Sequence, residues 1–227
     1  AFDPELIVSV REGGEAVQSE RDFLTDDQRM TLRWWARDKL EPLTARHVVF
    51  VEGISDRIVI ERVAELTGRN LDRLGISIVE TGGAGDMGPI WNLFGPNGFN
   101  TPLSLLIDED AIVKTANNIG ITEEELRKFP IWISRRDLED EYVRAVGVSA
   151  YWDALCTSDQ FGRNELDELK EHLEAGTLTE DVLAEYCRQK GHKGRKVRAA
   201  IVATEVLDKT SASLITSVNA LLDSVEA

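Results

Sequence analysis

The sequence predicts an α/β fold: a parallel sheet flanked by helices, with a small helical insertion in the second half. Four short apolar runs rich in β-branched residues, over 48–51, 76–79, 103–107 and 131–134, alternate with stretches of helical period, the order that builds a parallel sheet. From about Leu138 the strand signal stops and amphipathic helical spacing takes over. The length, 227 residues, suffices for one good-sized core and a smaller appendage.

Residues 1–14 read as the end of a strand and a hairpin, so the chain is expected to be a piece of a longer protein. Residues 25–40 form a helix with an apolar face of Met30, Leu32, Trp34, Trp35 and Leu40, and the adjacent tryptophans mark a candidate interface. The run over 48–51 stops at Glu52 and Gly53, as a buried strand ending in a turn does. Beyond it Ile58, Val59, Val63, Ala64 and Leu66 recur at helical spacing, giving a helix over 56–66 with Ser55 or Asp56 placed to cap it. The glycine-rich stretch 81–88 lacks a lysine and the dinucleotide-binding spacing, and reads as a strand-to-helix loop, with phosphate cradling the lesser alternative. Helices follow over 87–94 and 123–128. In the second half 165–176 and 178–189 are amphipathic, with Gly176 a natural stop for the first. Helices over 197–207 and 213–225 close the chain, the former packing back on the sheet.

Acids outnumber bases, 41 to 26, for a formal charge of −15, which argues against a passive coat on nucleic acid and suits an enzyme whose acids hold cations. No apolar run is long enough to span a membrane and no basic-then-apolar leader opens the chain, so a soluble, cytoplasmic protein is expected. Cys156 and Cys187 lack metal-ligand spacing and read as reduced thiols; His47, His172 and His192 are scattered, and nothing in the sequence suggests a zinc enzyme or a Ser-His-Asp triad. No G-x-x-x-x-G-K-[ST] sequence occurs, so this chain is not expected to bind ATP as a P-loop enzyme.

Two acidic clusters stand at the ends of apolar runs: Glu52 and Asp56 after the first, Asp108 and Asp110 after the third. Asp56 lies one turn beyond Glu52, facing the same crevice. Extended geometry would project Asp108 and Asp110 together. The carboxyl ends of parallel strands are where open sheets bind ligands. Four convergent carboxylates there would repel and partly protonate unless a hard divalent cation, Mg²⁺ or Mn²⁺, held them. Either cluster alone is better explained as a solvent-facing helix cap; the combination is what points to a metal site.

V-E-G-x-x-D after one strand, followed about fifty residues later by an apolar run ending D-x-D, resembles the Toprim domain of topoisomerases, bacterial primases, recombination mediators, small ribonucleases and the overcoming-lysogenization-defect (OLD) nucleases. The Toprim motifs cover 46–111. The resemblance implies that Glu52, Asp108 and Asp110 form the family's acidic triad and that Asp56 matches a further acidic position of the OLD type. The segment ISRRDLEDEY, 133–142, resembles the OLD motif in which an Arg is closely followed by Leu-Glu, making Glu139 the matching acid; by itself it would read as a helix start with an acidic first turn. The basic segment KGHKGRKVRAA, 190–200, resembles the OLD lysine segment, with Lys196 the first choice for the functional lysine and Lys193 the second.

By that resemblance the chain is a metal-dependent DNA endonuclease and lacks the ABC-type ATPase domain that precedes Toprim in OLD proteins. Residues 1–44 are then a lead-in, 45–140 the Toprim core, 141–190 the helical insertion, and 191–227 a basic segment and helices packing on the core. Two divalent ions, Mg²⁺ or Mn²⁺ with Ca²⁺ a possible occupant, about 4 Å apart, would clamp the attacking and leaving oxygens. Glu52, Asp108 and Asp110 would hold the first, and Asp56 and Glu139 would share in the second. Glu52 and Lys196 are the expected catalytic residues, the lysine stabilising charge on the phosphoryl oxygens. Arg135, Arg136, Lys193 and Arg195 are candidate DNA contacts. Tyr142, Tyr151 and Tyr186 all fall in the helical half, which favours water as nucleophile. DNA is the expected partner, a homodimer the expected state of the full-length protein, and no membrane is involved. The alternatives are a non-catalytic Toprim module and, less favoured, a phosphoacceptor receiver domain phosphorylated on Asp108.

Overall fold

The computed structural model describes residues 6–11, 13–18, 24–27, 29–30, 41–82, 87–95, 98–189 and 194–226. Trp34 and Trp35, with the rest of 31–40, lie outside them, as do 83–86 of the glycine-rich stretch and Lys193. The chain opens on the expected hairpin, β1 (Val8–Val10) antiparallel to β2 (Ala16–Gln18), turned at Gly13 and Gly14, whose φ values of 90° and 82° a side chain would disfavour.

The α/β core then alternates as predicted: β3 (His47–Val51), α1 (Ile54–Thr67), α2 (Leu71–Leu74), β4 (Ile76–Glu80), α3 (Met87–Phe94), β5 (Leu103–Asp108), α4 (Ile112–Ile119), α5 (Glu123–Leu126) and β6 (Ile131–Ser134). Their four strands form one parallel sheet in the order β4-β3-β5-β6, so β3 and β5, whose carboxyl ends carry Glu52 and Asp108, are central neighbours. Helices follow: α6 (Leu138–Val146), α7 (Val148–Thr157), α8 (Asp167–Glu174), α9 (Glu180–Arg188), α10 (Arg195–Val206), α11 (Lys209–Ala212) and α12 (Thr216–Glu226).

Both faces of the sheet are covered, which explains why its strands read as unbroken apolar runs rather than alternating ones. Val48, Phe50, Leu105 and Ile107 face α3, α4 and α5, packing on Met87, Phe94, Ile112 and Leu126. Val49, Val51, Ile78 and Leu106 face the other way, onto Val59 and Val63 of α1 and a continuous core with Tyr142, Tyr151, Leu183, Ala199, Val202 and Leu221. The helical half therefore shares its core with one face of the sheet. Tyr151 adds a polar tie, its hydroxyl donating to the Ala199 carbonyl at 2.8 Å. Among the described residues no helix is long and apolar enough to cross a membrane.

Glu141 fastens this arrangement near the candidate site. Buried at 4 % exposure, its carboxylate accepts from the Arg135 N–H at 3.0 Å and from the Ser217 N–H at 3.1 Å, joining the turn after β6 to the start of α12. Glu141→Ala would strand both donors, at about 1–3 kcal/mol each. The urea midpoint is expected to fall accordingly, with Glu141→Gln losing less; an unchanged midpoint in the alanine variant would refute the bridge.

Candidate functional site

Glu52 follows the last residue of β3 directly, and Gly53 is the N-cap of α1. The N-cap itself is neither Ser55 nor Asp56, both of which lie within the first turn, but Asp56 does cap that turn, as the sequence had suggested it could. Asp56 closes that turn from inside, its Oδ2 accepting from the Gly53 N–H at 2.8 Å, which points the carboxylate back toward the strand end. Asp108 ends β5, and its Oδ1 accepts from the Leu138 N–H at 3.3 Å. The chain then tightens into a 3-10 turn, Glu109–Ala111. Asp110 is consequently not on an extended continuation of β5: it sits exposed on the turn, close enough for its charge to raise the Glu52 pKa.

From the helical half, Asp137 caps α6 by accepting the Asp140 N–H at 2.8 Å, and Glu139 follows in the first turn, 1 % exposed. Lys196, in the first turn of α10, reaches between the acids. Its Nζ lies 3.3 Å from Glu139 Oε1, 3.7 Å from Asp108 Oδ2 and 4.0 Å from Asp56 Oδ1. Glu52, Asp56, Asp108, Glu139 and Lys196 are thus brought together from β3, α1, β5, α6 and α10.

The cluster is short of positive charge. Burial above all, then repulsion from Asp56, Glu139 and Glu52, pushes Asp108 up to about 8 against the pull of Lys196. Burial likewise lifts Glu139 to about 7, opposed by Lys196 and reinforced by Asp56 and Asp137. Glu52 and Asp56 are raised in the same direction, again first by burial. The Lys196 pKa is raised as well: burial would lower it, but Glu139, Asp56 and Asp108 together raise it, so it stays an ammonium. Glu52 Oε1 and Glu139 Oε2 are buried and have no hydrogen-bond partner among the described residues. Among the described residues no three Asp, Glu, His or Cys side chains already close around a common ion position. Even so, unpartnered carboxylate oxygens in a charge-deficient crevice are a donor set that suits hard divalent cations.

The expected DNA contacts fare unevenly. Arg135 is exposed. Arg136 is turned to the helical half, where its guanidinium meets Asp181 and, at 3.5 Å, Asp140. Arg195 is not available to a phosphate: it is 3 % exposed, lies 4.0 Å over the Tyr186 ring and bonds Gln189. Aromatic stacking has claimed a charge that the sequence showed only as part of a basic run. Arg188 and Arg198 are likewise engaged, with Asp137 and Glu165. Of the described bases in that run, Lys196 is the one that faces the acids. Tyr142, Tyr151 and Tyr186 are all buried, at 1, 0 and 2 % exposure. Sequence reasoning passed over Glu109, whose carboxylate accepts the Arg136 N–H at 3.1 Å; nothing in its own neighbourhood signals that contact.

Residues 43–110 match the family model described as "Overcoming lysogenization defect protein-like, TOPRIM domain". A search of curated proteins finds no match. Among solved structures, the chain is similar to the C-terminal region of the Burkholderia pseudomallei OLD protein, at 22 % identity and a TM-score of 0.58 over 80 % of this chain and 97 % of that one. It is similar also to the C-terminal region of the Xanthomonas campestris pv. campestris OLD protein, at 22 % identity and a TM-score of 0.56 over 80 % and 97 %. The chain therefore contains an OLD-like Toprim domain and has the fold of the C-terminal regions of OLD proteins.

Proposed function

We propose that this chain is the nuclease region of an ATPase-coupled OLD-type protein, a metal-dependent endonuclease that hydrolyses DNA phosphodiester bonds. The observation that carries the reading is the meeting of Lys196 with Asp56, Asp108 and Glu139 beside the strand ends, where Glu52 Oε1 and Glu139 Oε2 are buried and have no hydrogen-bond partner among the described residues. A passive surface would have no reason to bury so much uncompensated charge.

Glu52, Asp108 and Asp110 would hold one divalent ion, and Asp56 and Glu139 would share in a second. Bound Mg²⁺ or Mn²⁺ would supply activation of water and neutralisation of the phosphate. The Leu138 N–H occupies Asp108 Oδ1, which fixes the carboxylate and leaves Oδ2 turned to the crevice beside Lys196. Lys196 would stabilise charge developing on the phosphoryl oxygens. Arg135, exposed on the turn after β6, would meet the backbone of the approaching DNA. With a formal charge of −15 the chain would depend on its cations for much of its hold on a polyanion.

Cleavage of supercoiled plasmid with Mg²⁺, Mn²⁺, Ca²⁺ or EDTA tests this. Nicking or linearisation is expected with Mg²⁺ or Mn²⁺, and is expected to be lost in folded Glu52→Ala and Asp108→Ala variants. Cleavage that survives both substitutions, or none with any ion, would leave a non-catalytic Toprim module.

A further inference from the structure

The turn that delivers Glu139 is fastened to both ends of one helix of the insertion. In the first turn of α9, Asp181 holds the Arg136 guanidinium; at its last residue, Arg188 meets Asp137, Nε to Oδ2 at 2.6 Å and Nη2 to Oδ1 at 3.2 Å. The two ion pairs have opposite polarity, so reversing α9 against the turn would oppose like charges. The Asp137–Arg188 pair is sheltered, with side chains 13 % and 22 % exposed. Such a pair is screened less than one at the open surface.

The turn itself is unusual. Arg136 has φ +65°, a left-handed conformation that is costly for a residue with a Cβ. It is held there from the sheet side too: the Arg136 N–H donates to Glu109 Oε2 at 3.1 Å, and its carbonyl accepts from the Glu109 N–H at 3.1 Å. The next residue, Asp137, caps α6 through the Asp140 N–H, and Leu138 gives its N–H to Asp108. One four-residue stretch thus sets Asp108, the start of α6 and Glu139 at once.

We propose that α9 is a strut for the candidate site: through Asp181–Arg136 and Arg188–Asp137 it holds the turn between β6 and α6 in its left-handed form and so positions Glu139 against Asp108 and Lys196. Arg136, Asp137, Asp181 and Arg188 are positioning residues, and Arg136 serves the site through this pair rather than by touching DNA. The functional part of the inference rests on Glu139 acting as a metal ligand; the mechanical part does not.

Hydrogen exchange of the whole metal-free chain tests the mechanical part, and calorimetric Mn²⁺ titration the functional one. In Arg188→Ala, amides in 134–142 are expected to exchange about tenfold faster, as the loss of one charged hydrogen bond predicts, with β3 and β5 unchanged. Mn²⁺ binding should weaken by a similar factor. Arg136→Asp should do the same, and adding Asp181→Arg should restore both readouts, which a general loss of stability would not allow. Unchanged exchange in 134–142, an even rise across the chain, or a folded charge-reversed double variant that fails to recover would overturn the strut. If the wild-type chain binds no Mn²⁺, the metal reading of Glu139 fails, and the exchange pattern alone decides whether α9 braces the turn.

Discussion

Replacing Lys196 by methionine is expected to lower metal-dependent DNA cleavage by about a hundred- to a thousandfold, the range seen when one donor facing transition-state charge is lost. The same change is expected to tighten the binding of the divalent cation. The two effects follow from one position. The Lys196 ammonium stands within 4.0 Å of Asp56, Asp108 and Glu139, oxygens that a cation would need. In the metal-free chain it neutralises part of the cluster; toward an incoming ion it is a competitor of the same sign. Methionine keeps much of the apolar stem and removes only the charge, so packing along the stem changes little. Removing the ammonium leaves the repulsion among the acids uncompensated, so the variant's urea midpoint in EDTA should drop and recover on adding Mn²⁺. Lys196→Arg should not restore cleavage, because a planar fork cannot occupy the place of a compact ammonium among three carboxylates. Plasmid cleavage rates with calorimetric metal titrations decide the matter: undiminished cleavage would remove Lys196 from the chemistry, and weaker metal binding would show that it helps to shape the site rather than competing for it.

How much of this was legible depends on how local the cause is. The four strands of the sheet were readable because burial on both faces forces unbroken apolar runs, and a run's last residue marks where a carboxylate can emerge. The observed strands differ mainly by one residue at an end: His47 joins β3, Glu80 joins β4 and Asp108 itself closes β5. The meeting of Glu52 with Asp108 follows from the adjacency of β3 and β5, which no single segment states but a parallel order allows. Helix α4 was legible and went unread: Ile112, Thr115, Ala116 and Ile119 share one face, and Gly120, at φ 81°, stops it. By contrast α2 and α11 span four residues each, too short for a period to show. Asp110 leaves the strand line because the chain turns where Glu109 and Arg136 grip each other across two loops, a contact 27 residues apart in sequence. Arg195 looked like its neighbours in a basic run, and only the ring of Tyr186 from another helix distinguishes it. What sequence conveyed was chemistry at strand ends; what it withheld was which of several charges the tertiary contacts had already claimed.

In EDTA the chain is expected to lose stability as pH rises from about 5 to 9, opposite to the behaviour of a protein whose carboxylates are salt-bridged and depressed. Asp108 moves from 3.8 when unfolded to about 8 when folded, and Glu139 from 4.5 to about 7. Between those values the folded chain holds protons that the unfolded chain has released. Stability therefore has a negative slope with pH in that window: the contribution is full below the unfolded pKa values and is lost as pH passes through the folded ones. Each pKa unit corresponds to about 1.4 kcal/mol, so the two groups suffice for a change of several kcal/mol. Lys196 does not reverse the trend, because its raised pKa keeps it charged throughout the window. A bound divalent ion inverts the slope, since it favours the deprotonated carboxylates and supplies the charge that burial withholds. Urea midpoints across this pH range, with EDTA and with Mn²⁺, give the measurement, and Asp108→Asn should flatten the EDTA curve by removing its largest titration. A midpoint in EDTA that climbs with pH would mean that Asp108 and Glu139 are ionised and satisfied without metal, and the case for a cation site between β3, β5 and α6 would fall with it.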